Sequence, residues 1–358
     1  MFNASRLTLA RTRRGMTKVA VAREADLTTR TISAYEAGTQ KPSEESLHTL
    51  ARILRFPPSF FELADIEEIP ASAASFRALS RMTASQRDAA LGAARIAYTL
   101  SDWITERFEL PEPNIVSLAG DDPEAAAESL RAAWGLGDKP LPNLVHLLEL
   151  HGVRVFSLSE ESRDLDAFSL WRQGKPYVFL NTVKTAEHSR FDAGHELGHL
   201  VLHPDGTSGR DDEHQANQFA SALLMPRASV LAAGFRNPAL SDLIEAKRAW
   251  GVSVMALVYR LHSLDLISEW HYRSLCIELS QAGYRTREPN GGSRETSLLM
   301  TKVLASLRRD GITYGTIATD LGLTADEVQS FFFGLALTTV DGGVATAVST
   351  DRPSLRLV

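Results

Sequence analysis

Residues 188–203 read HSRFDAGHELGHLVLH and gather four of the chain's ten histidines together with a glutamate. No helix breaker interrupts Arg190 to Leu202, so the spacing predicts a helix there. On that helix His195 and His199, four residues apart, share one face, and both imidazoles can reach a single ion. Glu196 lies about 100° round from His195, beside such an ion. From there its carboxylate can accept a proton from a water instead of ligating.

The pattern HExxH is the zincin signature. Three protein ligands are normal for a catalytic zinc, so the histidine pair needs a third. His203 is roughly 6 Å further along the same helix than His199, and Pro204-Asp205-Gly206 ends the helix just after it. It reads as a C-terminal residue favoured by the helix dipole. The better source is 211–226, DDEHQANQFASALLMP. Ala216, Phe219, Ala220, Leu223 and Leu224 form an apolar helical face there. Glu213 lies about one turn before Ala216 and Asn217, facing back towards the first helix. His214 is the rival, pointing about 100° away from Glu213.

Upstream, the chain reads as helices over Thr83–Phe108, from Asp122-Pro123 to Trp134-Gly135, and along PNLVHLLELHG. Three extended runs follow at 153–158, 166–171 and 176–181, and the short polar gap RQGK makes the last two a hairpin. The fold class is therefore mainly α with a small β-sheet (α+β).

The first sixty residues are different. They read as four short helices and a fifth near Phe60, the third capped by Thr28 and ended by Gly38. Residues 1–62 carry ten Lys/Arg against six Asp/Glu, a local +4 in a chain of net charge −6. A helix, a tight turn and a helix that opens on small polar residues is a DNA-reading arrangement. Thr28, Thr29, Arg30 and Ser33 stand at or near the start of the third helix, with Ile32 and Tyr35 packing inward. Arg30 could make a bidentate contact to a guanine edge. Arg11, Arg13, Lys18 and Lys41 read as phosphate contacts.

Two resemblances organise these motifs. MTKVAVAREADLTTRTISAYEAGTQKPSEESLHTLARIL, from Met16, resembles the Cro/CI-type (xenobiotic-response-element) helix-turn-helix family, departing from it at Lys18-Val19 where Gln-Glu is common. SRFDAGHELGHLVLH followed by EHQANQFASALLMP resembles the ImmA/IrrE family of zinc metallopeptidases, as do PLPNLVHLLELHGVRVFSL, YVFLNTVKTAEHSRF and AWGVSVMALVYRLHSLDLIS. This second resemblance covers roughly 75–285. It implies a zincin-like, gluzincin-type peptidase domain often fused or paired with a Cro/CI-type repressor. Carried over by motif position, His195, His199 and Glu213 are ligands of Zn2+ and Glu196 is the general base. Gln215 stands where the family often has an acidic residue.

The expected organisation is a five-helix DNA-binding domain over 1–65, a linker over 66–75, a peptidase domain over 76–285 and a helical region over 286–358. The segments 244–268 and 312–335 have helix-turn-helix rhythm but no basic reading face, and read as packing elements. The tail from Asp341 reads as a strand pair or a mobile end. With 44% hydrophobic and 23% charged residues the composition suits a folded protein. One cysteine, Cys276, excludes an intrachain disulfide. No apolar run approaches a membrane span, and the charged N-terminus is not a signal peptide, so a cytoplasmic protein is expected. The expected partners are double-stranded DNA, bound as a homodimer, and a protein substrate. That substrate is a partner repressor or the chain's own 64–74 segment. The competing class is a regulator whose peptidase-like domain only senses a metal or ligand. For an oxyanion-stabilising group, Tyr259, Arg260 and His262 stand as candidates.

Overall fold

The computed structural model describes residues 1–69, 74–76, 83–158, 167–205, 209–284 and 287–336. The middle of the expected linker and the tail from 337 lie outside the described residues.

The N-terminal module holds α1 (Ala4–Arg13), α2 (Lys18–Glu24), α3 (Thr29–Glu36) and α4 (Glu44–Leu54). A short 3-10 turn at Pro58–Glu62 stands where a fifth helix was expected. Asn3, Thr17, Thr28 and Ser43 each accept a backbone N–H of the helix they open, which places the four starts where the capping residues predict. Strand β1 (Ala74–Phe76) precedes α5 (Ala84–Thr105), α6 (Pro123–Ala133) and α7 (Leu144–Leu150). Then come β2 (Arg154–Ser157), β3 (Ala167–Arg172) and β4 (Lys175–Leu180). The rest is helical: α8 (Ala186–Leu202), α9 (Arg210–Leu224), α10 (Arg227–Ala232), α11 (Leu240–Ala246), α12 (Val254–Ser263), α13 (Glu269–Gln281), α14 (Leu298–Arg309), α15 (Tyr314–Leu321) and α16 (Ala325–Ser330).

The sheet order is β1-β3-β4-β2. The β3–β4 hairpin is antiparallel, with Phe168 opposite Phe179, and turns on Gln173-Gly174, both in the left-handed region. β2 runs parallel to β4 on one edge. β1, whose first two residues were expected to be linker, is antiparallel to β3 on the other. Both faces of the sheet are covered. Phe156, Phe168, Tyr177 and Phe179 enter one core, while Val155, Ala167, Val178 and Leu180 enter the other, as alternation along a strand requires.

The two cores differ in their partners. One joins the N-terminal module, α5 and the C-terminal helices α14–α16. The other holds α6–α9, α12 and α13. The C-terminal helices therefore pack as expected of non-reading elements, and they do so against the DNA-binding module itself. Arg13 is buried there, its Nε 2.8 Å from Glu327 Oε1, and Arg14 reaches Glu327 Oε2 at 2.8 Å. Arg13 is consequently no phosphate contact: its guanidinium is sealed in an interior ion pair. α1 comes close to α5 because Gly92 has no side chain; a Cβ there would lie 3.2 Å from Arg13 Cα.

The first half of the expected linker is pinned. Arg6 Nε donates to the Ala64 carbonyl at 2.8 Å, and Arg95 donates to the carbonyls of Ile66 and Glu67 at 2.5 and 3.0 Å. No helix among the described residues is long and apolar enough to cross a membrane.

Candidate metal centre and DNA interface

α8 is capped by Thr185, whose hydroxyl accepts from His188 N–H, and it ends at His203 before Pro204. It is buried along most of its length, between the sheet and α9. Small residues allow that depth. A Cβ on Gly198 would lie 3.0 Å from the Phe219 ring and 3.2 Å from Ala216 Cα, so α8 and α9 touch there almost backbone to backbone. The contact brings the start of α9 over the histidine face of α8.

Three donor groups converge at that crossing. His195 Nε2 and His199 Nε2 are 3.1 Å apart. Glu213 Oε2 is 3.4 Å from the first, and Glu213 Oε1 is 3.3 Å from the second. Both imidazoles are fully buried and Glu213 is partly so. Burial alone would raise the Glu213 carboxyl; with the imidazoles protonated, hydrogen bonding and charge from His195 and His199 outweigh it and hold it at about 2.

The outer nitrogens of both rings are occupied. Asn217 Nδ2 donates to the Glu213 carbonyl at 2.8 Å, which turns its Oδ1 towards His195 Nδ1 at 3.2 Å. That oxygen can only accept, so the His195 proton sits on Nδ1 and Nε2 presents a lone pair. A relay does the same for His199. His203 Nε2 donates to Gln215 Oε1 at 3.0 Å, and its Nδ1, 3.1 Å away, accepts from His199 Nδ1. In these neutral tautomers two lone pairs and a carboxylate face one another. Such a set fits a cation, and two nitrogens with one carboxylate suit zinc.

His203 is therefore more than the helix-end residue it resembled in the sequence. It lies outside the converging set, but it bonds one of its members. Gln215 likewise serves the relay. His214 is exposed and points away from the cluster, towards a neighbouring cavity. Glu196 is fully buried, and Ser169 Oγ on β3 donates to its Oε2 at 2.7 Å. Ser169 had no signature in the sequence; only the pairing of β3 with the rest of the sheet brings it under α8. Arg260, named as an oxyanion candidate, is buried and forked onto Glu124 at 2.6 and 2.5 Å. His262 is bonded to Glu269 at 2.8 Å. Tyr259 alone of the three opens onto the cavity beside Asn217.

On the N-terminal module Thr28, Thr29, Arg30 and Lys41 are exposed and Ser33 is half-buried, while Ile32 and Tyr35 are in the core. Arg11 and Lys18 sit beside α3 rather than apart from it: both pair with Glu36, at 2.5 and 3.1 Å.

No curated protein matched the chain in a search. Two family models do match. Residues 148–262 fit the IrrE N-terminal-like domain, peptidase M78, and residues 7–61 fit the helix-turn-helix model. The matched segments contain the converging His195, His199 and Glu213 in one case and α2–α3 in the other. The chain joins a helix-turn-helix DNA-binding domain to an IrrE N-terminal-like domain of the M78 peptidase family.

Proposed function

We propose that the protein is a DNA-binding transcription regulator whose second domain is a zinc-dependent endopeptidase. The observation that carries this is the convergence of His195, His199 and Glu213 beside the buried Glu196. When bound, zinc supplies Lewis acidity, which acidifies a water and polarises a carbonyl. Glu196 takes the proton of the attacking water and returns it to the leaving amine. Ser169 fixes the carboxylate for that task through its hydrogen bond to Oε2. Tyr259, which lines the cavity next to Asn217, is in this reading the candidate donor to the developing oxyanion.

The substrate in this reading is a separate protein, a partner repressor held near the same operator. Tethering both to one DNA raises their effective concentration. Self-cleavage at 64–69 is disfavoured by the bonds that pin this segment, and exposed, loosely held backbone is what enters a cleft most readily. On DNA we take the active species to be a homodimer on a near-palindromic site, with Arg30 reading a base and Lys18 and Lys41 on phosphates.

The test compares wild type with Glu196→Gln in cells by mapping new protein N-termini. The variant should keep zinc and operator binding but generate no cleavage product. If no protein gains a Glu196-dependent N-terminus while transcriptional control persists, the sensing role replaces the peptidase.

A further inference from the structure

Beside the candidate metal centre lies a cavity of about 470 Å³. Asn217, which orients His195, forms part of its wall, so the cavity opens next to the ligand set. Its sides are aromatic and soft: Phe191, Met255, Tyr259, Tyr272 and Tyr284. Those walls alone would suit an aliphatic side chain. Two other lining groups do not.

Glu187, in the first turn of α8, is 4% exposed. Its Oε1 accepts from Lys247 Nζ at 3.2 Å and from Gly292 N–H at 2.7 Å, while its Oε2 has no hydrogen-bond partner among the described residues. Ser221 on α9 is also 4% exposed, and its hydroxyl has none either. Ser221 is one turn on from Asn217 on α9, and both line this cavity. The local charge is unbalanced as well. Lys247 lies between Glu187 and Glu288, at 3.2 and 2.9 Å, and Val254 N–H at the start of α12 also donates to Glu288 at 2.9 Å, so one lysine faces the buried Glu187 and the half-buried Glu288. Glu288 lines the same cavity. An unpaired buried acceptor is costly, and an unpaired buried charge more so.

We infer that this cavity is the subsite for a basic substrate side chain, arginine above all, next to the bond to be cut. The aliphatic stem and the flat guanidinium would lie against the tyrosine walls, where a cation over an aromatic face is favoured. The guanidinium would donate to Glu187 Oε2 and to Ser221 Oγ, and its charge would balance the second carboxylate. The volume accommodates one such side chain with room for water. An aliphatic occupant would leave both acceptors unmet.

This inference rests on the peptidase reading for its biological sense, but it can be tested without catalysis. N-acetyl-arginine amide, N-acetyl-citrulline amide and N-acetyl-norleucine amide are titrated into the zinc-loaded full-length protein, with binding read by NMR. Citrulline keeps the shape of arginine and lacks its charge. The arginine probe should bind roughly tenfold more tightly than either of the others. Glu187→Gln can still accept from Lys247 and Gly292, and it should bring the arginine-to-citrulline ratio close to one. Ser221→Ala should weaken arginine and citrulline together by a few fold and leave their ratio unchanged. Equal or tighter binding of the norleucine probe by wild type would overturn the proposal, whatever the variants do. An arginine preference in a protein that cuts nothing would sink the peptidase reading alone. Cleavage with no arginine preference would sink only the subsite.

Discussion

Two histidines at a four-residue spacing are a common accident of helices; what distinguishes His195 and His199 is the state of their outer nitrogens. Asn217 and the His203–Gln215 relay commit both rings to presenting Nε2. Groups of this kind typically change metal affinity 10–100-fold. His195→Ala or Glu213→Ala should therefore abolish stoichiometric zinc, whereas His203→Ala and Asn217→Ala should keep the site but weaken it by about 10–100-fold. Competition against a chromophoric chelator reads all four, with His214→Ala as the silent control. A His203→Ala variant of unchanged affinity would remove the relay from the account. At the other end of the chain, Arg30→Ala should lower discrimination at one base pair by about 1–3 kcal/mol. Lys41→Ala should weaken binding to all sequences alike, since a phosphate carries no sequence information. Equal losses on specific and random duplexes for Arg30→Ala would exclude base reading by that residue. The ligand face was legible in the sequence because it follows from a helical period alone. The relay was not, because the helix-end reading of His203 accounts for its backbone and says nothing of where its ring points.

The pairing of α8 with α9 is what makes a site out of two segments. Glycine is an expensive helix residue, by about 1 kcal/mol relative to alanine, so Gly194 and Gly198 within two turns call for a reason. Contact supplies it. A methyl group at Gly198 would press on Phe219 and on the Ala216 backbone at 3.0–3.3 Å, while one at Gly194 would meet Ala220 at an ordinary 3.5 Å. Gly198→Ala should thus destabilise by about 1–3 kcal/mol through overpacking and loosen zinc by moving Glu213 off the histidines. Gly194→Ala should be near neutral or stabilising. Urea unfolding with parallel zinc titration separates the two, and a harmless Gly198→Ala would mean that α9 is free to shift. The helices and the β3–β4 hairpin were readable because caps, turn residues and periodicity are local signals. β1 was not: Ala74–Phe76 is only three residues long and follows a proline-bearing polar stretch, so its extended form depends on pairing with β3, far along the chain.

Across the whole molecule the decisive fact is that the DNA-binding module does not hang from a free tether. It shares a core with α5 and α14–α16, and Glu327 ties α16 to Arg13 and Arg14. None of this was legible in the sequence. Arg13 looked like one more surface cation in a basic module, and Glu327 lies in the 312–335 segment, which was read only as a packing element without a basic face. Neither reading could know that the two would meet, 314 residues apart. Burial by itself would raise the Glu327 carboxyl, but the two guanidinium groups outweigh it and hold it below its ordinary value. A folded value below the unfolded one of about 4.3 means that the stabilisation is complete above that pH. It is lost as pH falls through the lower folded value. Glu327→Gln leaves two cations facing a neutral amide in an interior, a change that costs about 3–5 kcal/mol. The variant should therefore unfold at clearly lower denaturant concentration at pH 7. Its deficit should begin to shrink below about pH 4.3, as the wild-type carboxyl protonates in the unfolded chain. A surface ion pair would give less than about 1 kcal/mol and would fade in salt, so repeating the measurement in high salt distinguishes the two. If the deficit at pH 7 is that small, the junction is incidental, and the module's orientation on the peptidase domain must be held by apolar packing and by contacts such as those of Arg95 with the carbonyls of Ile66 and Glu67.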